Sequence, residues 1–294
     1  RRNNVTQAAM AKAMSDKRAL VVGLGLSGLS SARWLARQGY RVTVVDSRAQ
    51  PPGLAALHAE LPEITAHTGS FDAELFRDPG LLVVSPGVSV QEPVIAAAAA
   101  CGVDVVGDVE LFARTARAPV LAITGANGKS TVTSLVGAMC KEAGLDTAVG
   151  GNIGVPVLDL LRTPEPEVYV LELSSFQLET TTSLNARAAT VLNITPDHMD
   201  RYATLNDYTA AKARVFRGDG LMVINTDDPL VAAMVQSGRS VVRFGSSVPA
   251  SDIDYGLVTH GGEVWLARGA RALLPVASLP LPGRLVPALA PKPH

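Results

Sequence analysis

The segment Thr124-Gly125-Ala126-Asn127-Gly128-Lys129-Ser130-Thr131 constrains this chain more than any other. An apolar run, Pro119-Val120-Leu121-Ala122-Ile123, leads into it, and a helix-compatible run over residues 132–143 follows. Strand, glycine-rich turn with Gly-Lys-Ser, then helix is the layout of a phosphate-binding loop. Backbone N–H groups of such a turn point at phosphate oxygens. The helix adds the positive end of its dipole, the lysine adds a charge, and the serine hydroxyl can ligate Mg²⁺. The spacing is a variant, because the general pattern places glycine five residues before Gly128, where Ile123 stands. Read locally, the segment is either a nucleotide phosphate site or an ordinary strand-to-helix turn.

An earlier unit of the same kind opens at Arg18. Ala19-Leu20-Val21-Val22 is a short buried strand, Gly23-Leu24-Gly25-Leu26-Ser27-Gly28 a glycine turn, and residues 29–38 an amphipathic helix that Gly39 ends as a left-handed cap. Arg41-Val42-Thr43-Val44-Val45-Asp46 is the next strand, with an acid about 20 residues beyond the turn. By itself this fingerprint predicts an NAD-binding domain. A strand over 81–84 runs into Ser85-Pro86-Gly87, a helix covers 96–100, a strand 103–106, and residues 111–116 close the unit. Ala118-Pro119 reads as a linker.

After the phosphate loop, Val168-Tyr169-Val170-Leu171-Glu172 is an apolar strand ending in an acid. Residues 188–194 form another, leading into Thr195-Pro196-Asp197-His198-Met199-Asp200. A helix over 205–217 and a strand over 221–224 follow. Strands alternating with helices predict parallel, helix-covered sheets. Residues 254–259 and 263–267 alternate in polarity around Gly261-Gly262, a hairpin turn pair. The expected fold class is α/β: a Rossmann-like N-terminal domain, then a P-loop-type central ATPase domain with a small antiparallel sheet.

Composition bounds the remainder. With 294 residues, 47% of them hydrophobic and 18% charged, the chain suits two packed domains. A formal net charge of -1 gives no global field for nucleic acid or an anionic membrane. Cys101 and Cys140 lie in helix-like segments without metal-ligand spacing and read as reduced, buried thiols of a cytosolic protein. No apolar run approaches the ~20 residues of a membrane span. Residues 1–17 read as a polar leader, disordered or foreign to the native chain.

Ligands of open parallel sheets bind beyond the carboxyl ends of the strands. The loop from Gly125 to Thr131, Glu172, His198 and the helix carrying Lys212 converge on that edge. An acid ending an apolar strand after a phosphate loop is where a Mg²⁺-ligating carboxylate belongs, or a helix-capping acid. By spacing alone His198 reads as an ordinary histidine and Lys212 as a solvated lysine. Two glycine-rich cradles in one chain discriminate further, since a dehydrogenase needs no phosphate loop and a simple ATPase needs no second cradle.

Several blocks together carry a specific likeness. They are VVGLGLSGLS, SPGVS, GDVELF, AITGANGKSTVTSLVG, VGGNIG, YVLELSSFQLETT, NITPDHMDRY and YTAAKARVF, spread between Arg18 and Gly283. In this order they resemble the Mur ligase family of bacterial peptidoglycan synthesis, in the pattern of its D-glutamate-adding branch. The resemblance implies an ADP-forming amide ligase. ATP phosphorylates the carboxylate of UDP-N-acetylmuramoyl-L-alanine, and the amine of D-glutamate attacks the acyl phosphate. It also implies a cytoplasmic bacterial monomer that handles small molecules, without nucleic acid or membrane insertion.

Carried over by position, the first domain (18–117) would bind the UDP of the substrate through Leu26, Ser27, Asp46, Ser47, Arg48 and Gly87. In the central domain (118–284), Gly125, Ala126, Asn127, Gly128, Lys129, Ser130 and Thr131 would hold ATP, with Lys129 on the phosphates. Asn152 and Ser174 would contact the substrate. Two Mg²⁺ ions would be held by Ser130, Glu172, His198 and Lys212, the last as a carbamate formed with CO₂. Lys129, His198 and Lys212 are thereby the expected catalytic residues. Folylpolyglutamate synthases share the central domain but lack a leading cradle like Gly23 to Asp46. An NAD-dependent oxidoreductase and a non-catalytic nucleotide-binding remnant are the competing readings.

The sequence departs from the family at its end. The family boundary reads Pro-Gly-Arg/Gln-His-Asn before a further domain that holds D-glutamate. Here Pro282-Gly283-Arg284 is followed by Leu285-Val286-Pro287, and residues 285–294 form a non-family tail. The expectation is a chain without the D-glutamate domain that binds the UDP-sugar and does not turn over.

Overall fold

In the computed structural model, two sheets divide the chain, and residues 17–77 and 79–279 are described. The leader expected over 1–17, apart from Lys17, and the Pro282-Gly283-Arg284 boundary with its tail lie outside them. The first sheet has β1 (Arg18–Val22), β2 (Arg41–Asp46), β3 (Thr65–Thr68), β4 (Leu81–Val84) and β5 (Asp104–Val106), in the order β3-β2-β1-β4-β5. Every pairing in it is parallel. The strands β1 and β4 are nearly continuous Val/Leu runs because helices cover both faces. Those helices are α1 (Leu26–Arg37), α2 (Leu54–Glu60), α3 (Pro93–Ala100) and α4 (Asp108–Thr115).

The second sheet contains β6 (Val120–Thr124), β7 (Thr147–Gly151), β8 (Val168–Glu172), β9 (Ala188–Val191), β10 (Leu221–Asn225), β11 (Val241–Phe244), β12 (Tyr255–His260), β13 (Glu263–Arg268) and β14 (Arg271–Pro275). Its order is β14-β13-β12-β11-β10-β9-β6-β8-β7. Its helices are α5 (Lys129–Glu142), α6 (Ser175–Glu179), α7 (Leu205–Ala213) and α8 (Pro229–Ala232). The helix expected over 205–217 is α7, continued by a 3₁₀ turn at Arg214–Phe216. The hairpin strands turn at Gly261-Gly262, both left-handed, and pair antiparallel from Tyr255↔Arg268 to His260↔Glu263. They extend the main sheet, joined to it by the single parallel pair Phe244↔Tyr255.

The seam between the two sheets is dense and polar. Glu110 on α4 accepts from the amides of Thr182 (2.7 Å) and Ser183 (2.8 Å) and from the Ser183 hydroxyl (2.6 Å). The same carboxylate meets Arg114 Nε at 2.8 Å. These hydrogen bonds outweigh burial, which alone would raise it, and hold the Glu110 carboxyl down at about 2. Gln177 donates to the buried Asp108 carboxylate at 3.4 Å. Burial pushes the Asp108 carboxyl up. The thiols depart from expectation: Cys101 is exposed and Cys140 half-buried. Cys101 caps the C-terminus of α3, where a helix end turns outward, and so misses the core.

Candidate active site

The β1–α1 turn is built around close backbone approach. A Cβ on Gly28 would stand 1.9 Å from the Gly23 oxygen, so only glycine lets helix and strand meet there. Asp46, at the end of β2, reaches back to hold this turn. Its Oδ2 accepts from the Leu24 amide (2.7 Å) and Arg48 Nη2 (2.6 Å), and its Oδ1 from the Arg48 amide (2.8 Å) and Nε (2.9 Å). Burial works against the charge, but these bonds prevail and the carboxyl sits below its usual range. Four donors fill a carboxylate's acceptor positions. Asp46 therefore has no free lone pair to receive a ribose diol, as the acid of an NAD site does.

A cleft of about 540 Å³ opens above this turn, between the two sheets. From the first sheet Leu26, Ser27, Asp46, Ser47, Arg48 and Gly87 line it. Across from them stand Gly151, Asn152, Gly154, Pro156 and Gln177. Seven of the eight expected substrate contacts thus converge. The eighth, Ser174, lies outside the lining and forms a capping box with Gln177 at the start of α6.

At the end of β6, Gly125 has φ 154° and Gly128 φ 78°, and Gly128 is the N-cap of α5. The left-handed Gly128 turns the chain so that Lys129, Ser130 and Thr131 form the first helical turn. Asn193, which the sequence reading left without a role, fastens the loop. Its carbonyl accepts from the Ala126 amide (3.0 Å), its Oδ1 from the Asn127 amide (2.8 Å), and its Nδ2 donates to the Asn127 oxygen (3.1 Å). An asparagine directly after an apolar strand, opposite a glycine loop, was the available signal. Lys129 Nζ folds back onto the Ala126 oxygen at 2.9 Å.

Glu172 ends β8 with 1% exposure. Its Oε1 accepts from Asn152 Nδ2 at 2.9 Å, and its buried Oε2 has no hydrogen-bond partner. Asn152 thus lines the cleft and grips the carboxylate of the neighbouring strand. Lys212, on α7, is 2% exposed and donates to the Gly125 oxygen at 2.9 Å. Burial first, and the charge of Lys129 second, pull its ammonium down to about 7, against Asp197 and Glu172. The solvated lysine of the local reading is therefore corrected: α7 turns Lys212 inward against the phosphate loop. His198 sits on the loop after β9 in a left-handed conformation, φ 54°, with its side chain 47% exposed. Its ring lies 4.8 Å from that of Phe176.

A cation fits here on the chemistry of the donors. The buried Glu172 Oε2 lacks a hydrogen-bond partner, and Ser130, in the first turn of α5, and His198, on the loop after β9, lie at the same sheet edge. Among the described residues no three His, Cys, Asp or Glu side chains form a ready cage. A single carboxylate such as Glu172 is a donor Mg²⁺ uses, its shell being completed by water and substrate phosphates.

Comparison with known proteins agrees with this architecture. The profile described as Mur ligase MurD-like, N-terminal domain, matches residues 17–107, and that described as Mur ligase middle domain matches residues 123–284. The chain belongs to the Mur ligase family. This Mur ligase chain is 57% identical over 272 residues to the UDP-N-acetylmuramoylalanine--D-glutamate ligase of Methylobacillus flagellatus, covering 92% of the chain and 60% of that protein. It is 56% identical over 265 residues to the ligase of the same name from Nitrosococcus oceani, covering 90% and 58%. The chain thus spans about three-fifths of the length of the curated relatives it matches.

Among solved structures, the UDP-N-acetylmuramate:L-alanyl-gamma-D-glutamyl-meso-diaminopimelate ligase from Neisseria meningitides shares the fold of this Mur ligase chain. The TM-score is 0.57 at 18% identity, covering 87% of this chain and 85% of that one. The UDP-N-acetylmuramate-alanine ligase from Thermotoga maritima gives 0.53 at 23% identity, covering 93% and 63%. No helix among the described residues of this Mur ligase chain is long and apolar enough to cross a membrane.

Proposed function

We propose that this chain carries the UDP-substrate and ATP sites of a ligase that joins D-glutamate to UDP-N-acetylmuramoyl-L-alanine. The observation that carries the reading is the shared residue Asn152, which lines the 540 Å³ cleft and holds Glu172 beside the phosphate loop. A substrate seated in that cleft by its uridine nucleotide extends toward the second glycine turn, where ATP would lie.

A carboxylate is a poor acyl donor. Its oxygen attacks the γ-phosphorus of ATP, the bond to the β-phosphate oxygen breaks, and ADP leaves an acyl phosphate. The D-glutamate amine then attacks the acyl carbon, and phosphate leaves as the amide forms with loss of a proton. The protein's part is to position anions and neutralise their charge. The loop from Gly125 to Thr131 offers backbone N–H groups and the start of α5, and Lys129 swings from the Ala126 oxygen onto phosphate. Ser130, Glu172, His198 and Lys212 would hold Mg²⁺, which supplies charge neutralisation on the transferring phosphoryl group.

Lys212 would enter that set as a carbamate. Its pKa near 7 leaves much of the side chain as free amine at neutral pH. That amine attacks CO₂, forming an N–C bond and releasing a proton, and a cation becomes a carboxylate. Asp46, saturated by its own loop, disfavours the dehydrogenase reading, and its part in the uridine site is to hold Leu24 and Arg48 in place rather than to accept from the ligand.

The test is calorimetric titration of the chain with UMP and with NADH. Saturable UMP binding that NADH does not displace is expected. Saturable NADH binding indifferent to UMP would overturn the reading.

A further inference from the structure

Arg201 has no role in the chemistry above, yet its side chain joins the two sheets. Its Nη1 donates to the Pro86 oxygen at 2.9 Å, and its Nη2 to the Val88 oxygen at 3.3 Å and to Glu179 Oε2 at 2.9 Å. Pro86, Gly87 and Val88 line the cleft, so the guanidinium grips the cradle loop by the carbonyls on either side of Gly87. It is 15% exposed, and its carbon lies 4.2 Å from the centre of the Phe176 ring. A planar fork can satisfy three acceptors and stack at once, which an ammonium cannot.

The contacts continue on the other side. The amide of Arg201 donates to the His198 oxygen at 2.9 Å, and Phe176 meets the His198 ring at 4.8 Å. Phe176 also stacks on Tyr202 at 6.0 Å, and Tyr202 meets Tyr208 edge-on at 5.3 Å. The Tyr208 ring carries Lys212 Nζ at 4.6 Å. A packed line of side chains therefore runs from the cradle loop to His198 and Lys212.

We propose that Arg201 is a positioning residue that couples occupancy of the uridine cradle to the placement of His198 and Lys212. A ligand that orders the loop at Gly87 fixes the two carbonyls, and these fix the guanidinium, Phe176 and the His198 turn. ATP then binds a site already ordered, and by linkage it tightens the uridine ligand by the same factor. The inference rests on the reading of the cleft as a uridine-nucleotide site.

The test is the binding of a non-hydrolysable ATP analogue with Mg²⁺, measured calorimetrically with and without saturating UDP-N-acetylmuramoyl-L-alanine. Affinity in the unaltered chain should rise about five- to tenfold with the uridine ligand present. In R201K, which keeps the charge but loses the fork, and in R201A, that factor should fall to about one. Thermal unfolding shows whether each variant is folded, and R201K decides if R201A is not. A purely structural role would lower the melting point and leave the factor intact. A factor preserved in folded R201K, or absent from the unaltered chain, overturns the coupling alone. Failure of the unaltered chain to bind the uridine ligand overturns the underlying reading and the coupling with it.

Discussion

Lys212 Nζ stands 2.9 Å from the main-chain oxygen of Gly125, a contact between residues 87 apart in sequence. A buried ammonium against the carbonyl of a phosphate loop places a cation where anions are to be held. It also places a proton where burial and the charge of Lys129 oppose it, so the two demands conflict, and burial pulls Lys212 toward its neutral form.

That tension gives a pH signature. The Lys212 pKa falls to about 7 in the folded chain, below its unfolded value, so the unfolded chain binds the extra proton and stability rises with pH above about 7. Lys212→Met should flatten that rise in urea-unfolding series. With ¹³C-bicarbonate at fixed dissolved CO₂, a carbamate resonance should grow as pH passes 7 and be missing from the variant. A resonance that persists in Lys212→Met would assign it elsewhere.

Glu172 predicts a separation of stability from function. Glu172→Gln keeps an oxygen for Asn152 and removes a buried, half-unpaired charge. The metal-free variant should be as stable as the parent or more stable by about 1 kcal/mol. Mg²⁺ should tighten ATP-analogue binding to the parent, and that gain should shrink about tenfold in the variant. An unchanged Mg²⁺ effect would remove Glu172 from the metal set.

Glu110 governs acid stability at the seam. Its folded pKa of about 2 lies below the unfolded value, so its contribution is complete above about pH 4.5 and disappears as pH falls toward 2. Glu110→Ala leaves the amides of Thr182 and Ser183 unpaired. It should cost about 2–4 kcal/mol at pH 7 and less as pH approaches 2. A variant deficit that stays constant across that range would contradict the assignment.

Gly28 in the first glycine turn and Gly87 in the cleft differ in how tightly they are packed. Gly28→Ala drives a methyl into the Gly23 oxygen and should cost about 3 kcal/mol. Gly87→Ala meets nothing within 4 Å and should change stability by less than about 0.5 kcal/mol. Chemical denaturation of the two variants gives the contrast directly.

The strands β2, β4 and β8 were legible to the residue, because short runs rich in Val and Leu, joined by Thr43 in β2 and Tyr169 in β8 and closed by Asp46, by Ser85-Pro86 or by Glu172, read as buried strands. Both glycine turns were equally plain. The helix α1 begins at Leu26, three residues earlier than its periodicity suggests, since its first turn is part of the glycine turn. The edge strand β3, Thr-Ala-His-Thr, carries no apolar run and escaped notice. Burial of Lys212 was beyond local pattern, because the acceptor that receives its ammonium, the Gly125 oxygen, is 87 residues away, and only Tyr208 one turn earlier on α7 is local. The roles of Asn193 and Arg201 depend on partners across the sheet edge or across the seam. No window of sequence contains both halves of those contacts.

The lone pair Phe244↔Tyr255 is where the mixed sheet is thinnest. On one side lie parallel strands that position every phosphate and metal candidate, and on the other a three-stranded meander stitched mainly to itself. Such a seam divides the sheet into two cooperative units. Hydrogen exchange should therefore find the meander amides opening at lower free energy than those of β6, β8 and β9. The edge that carries the glycine loop, Glu172 and His198 is thus separated from breathing at the far end of the sheet.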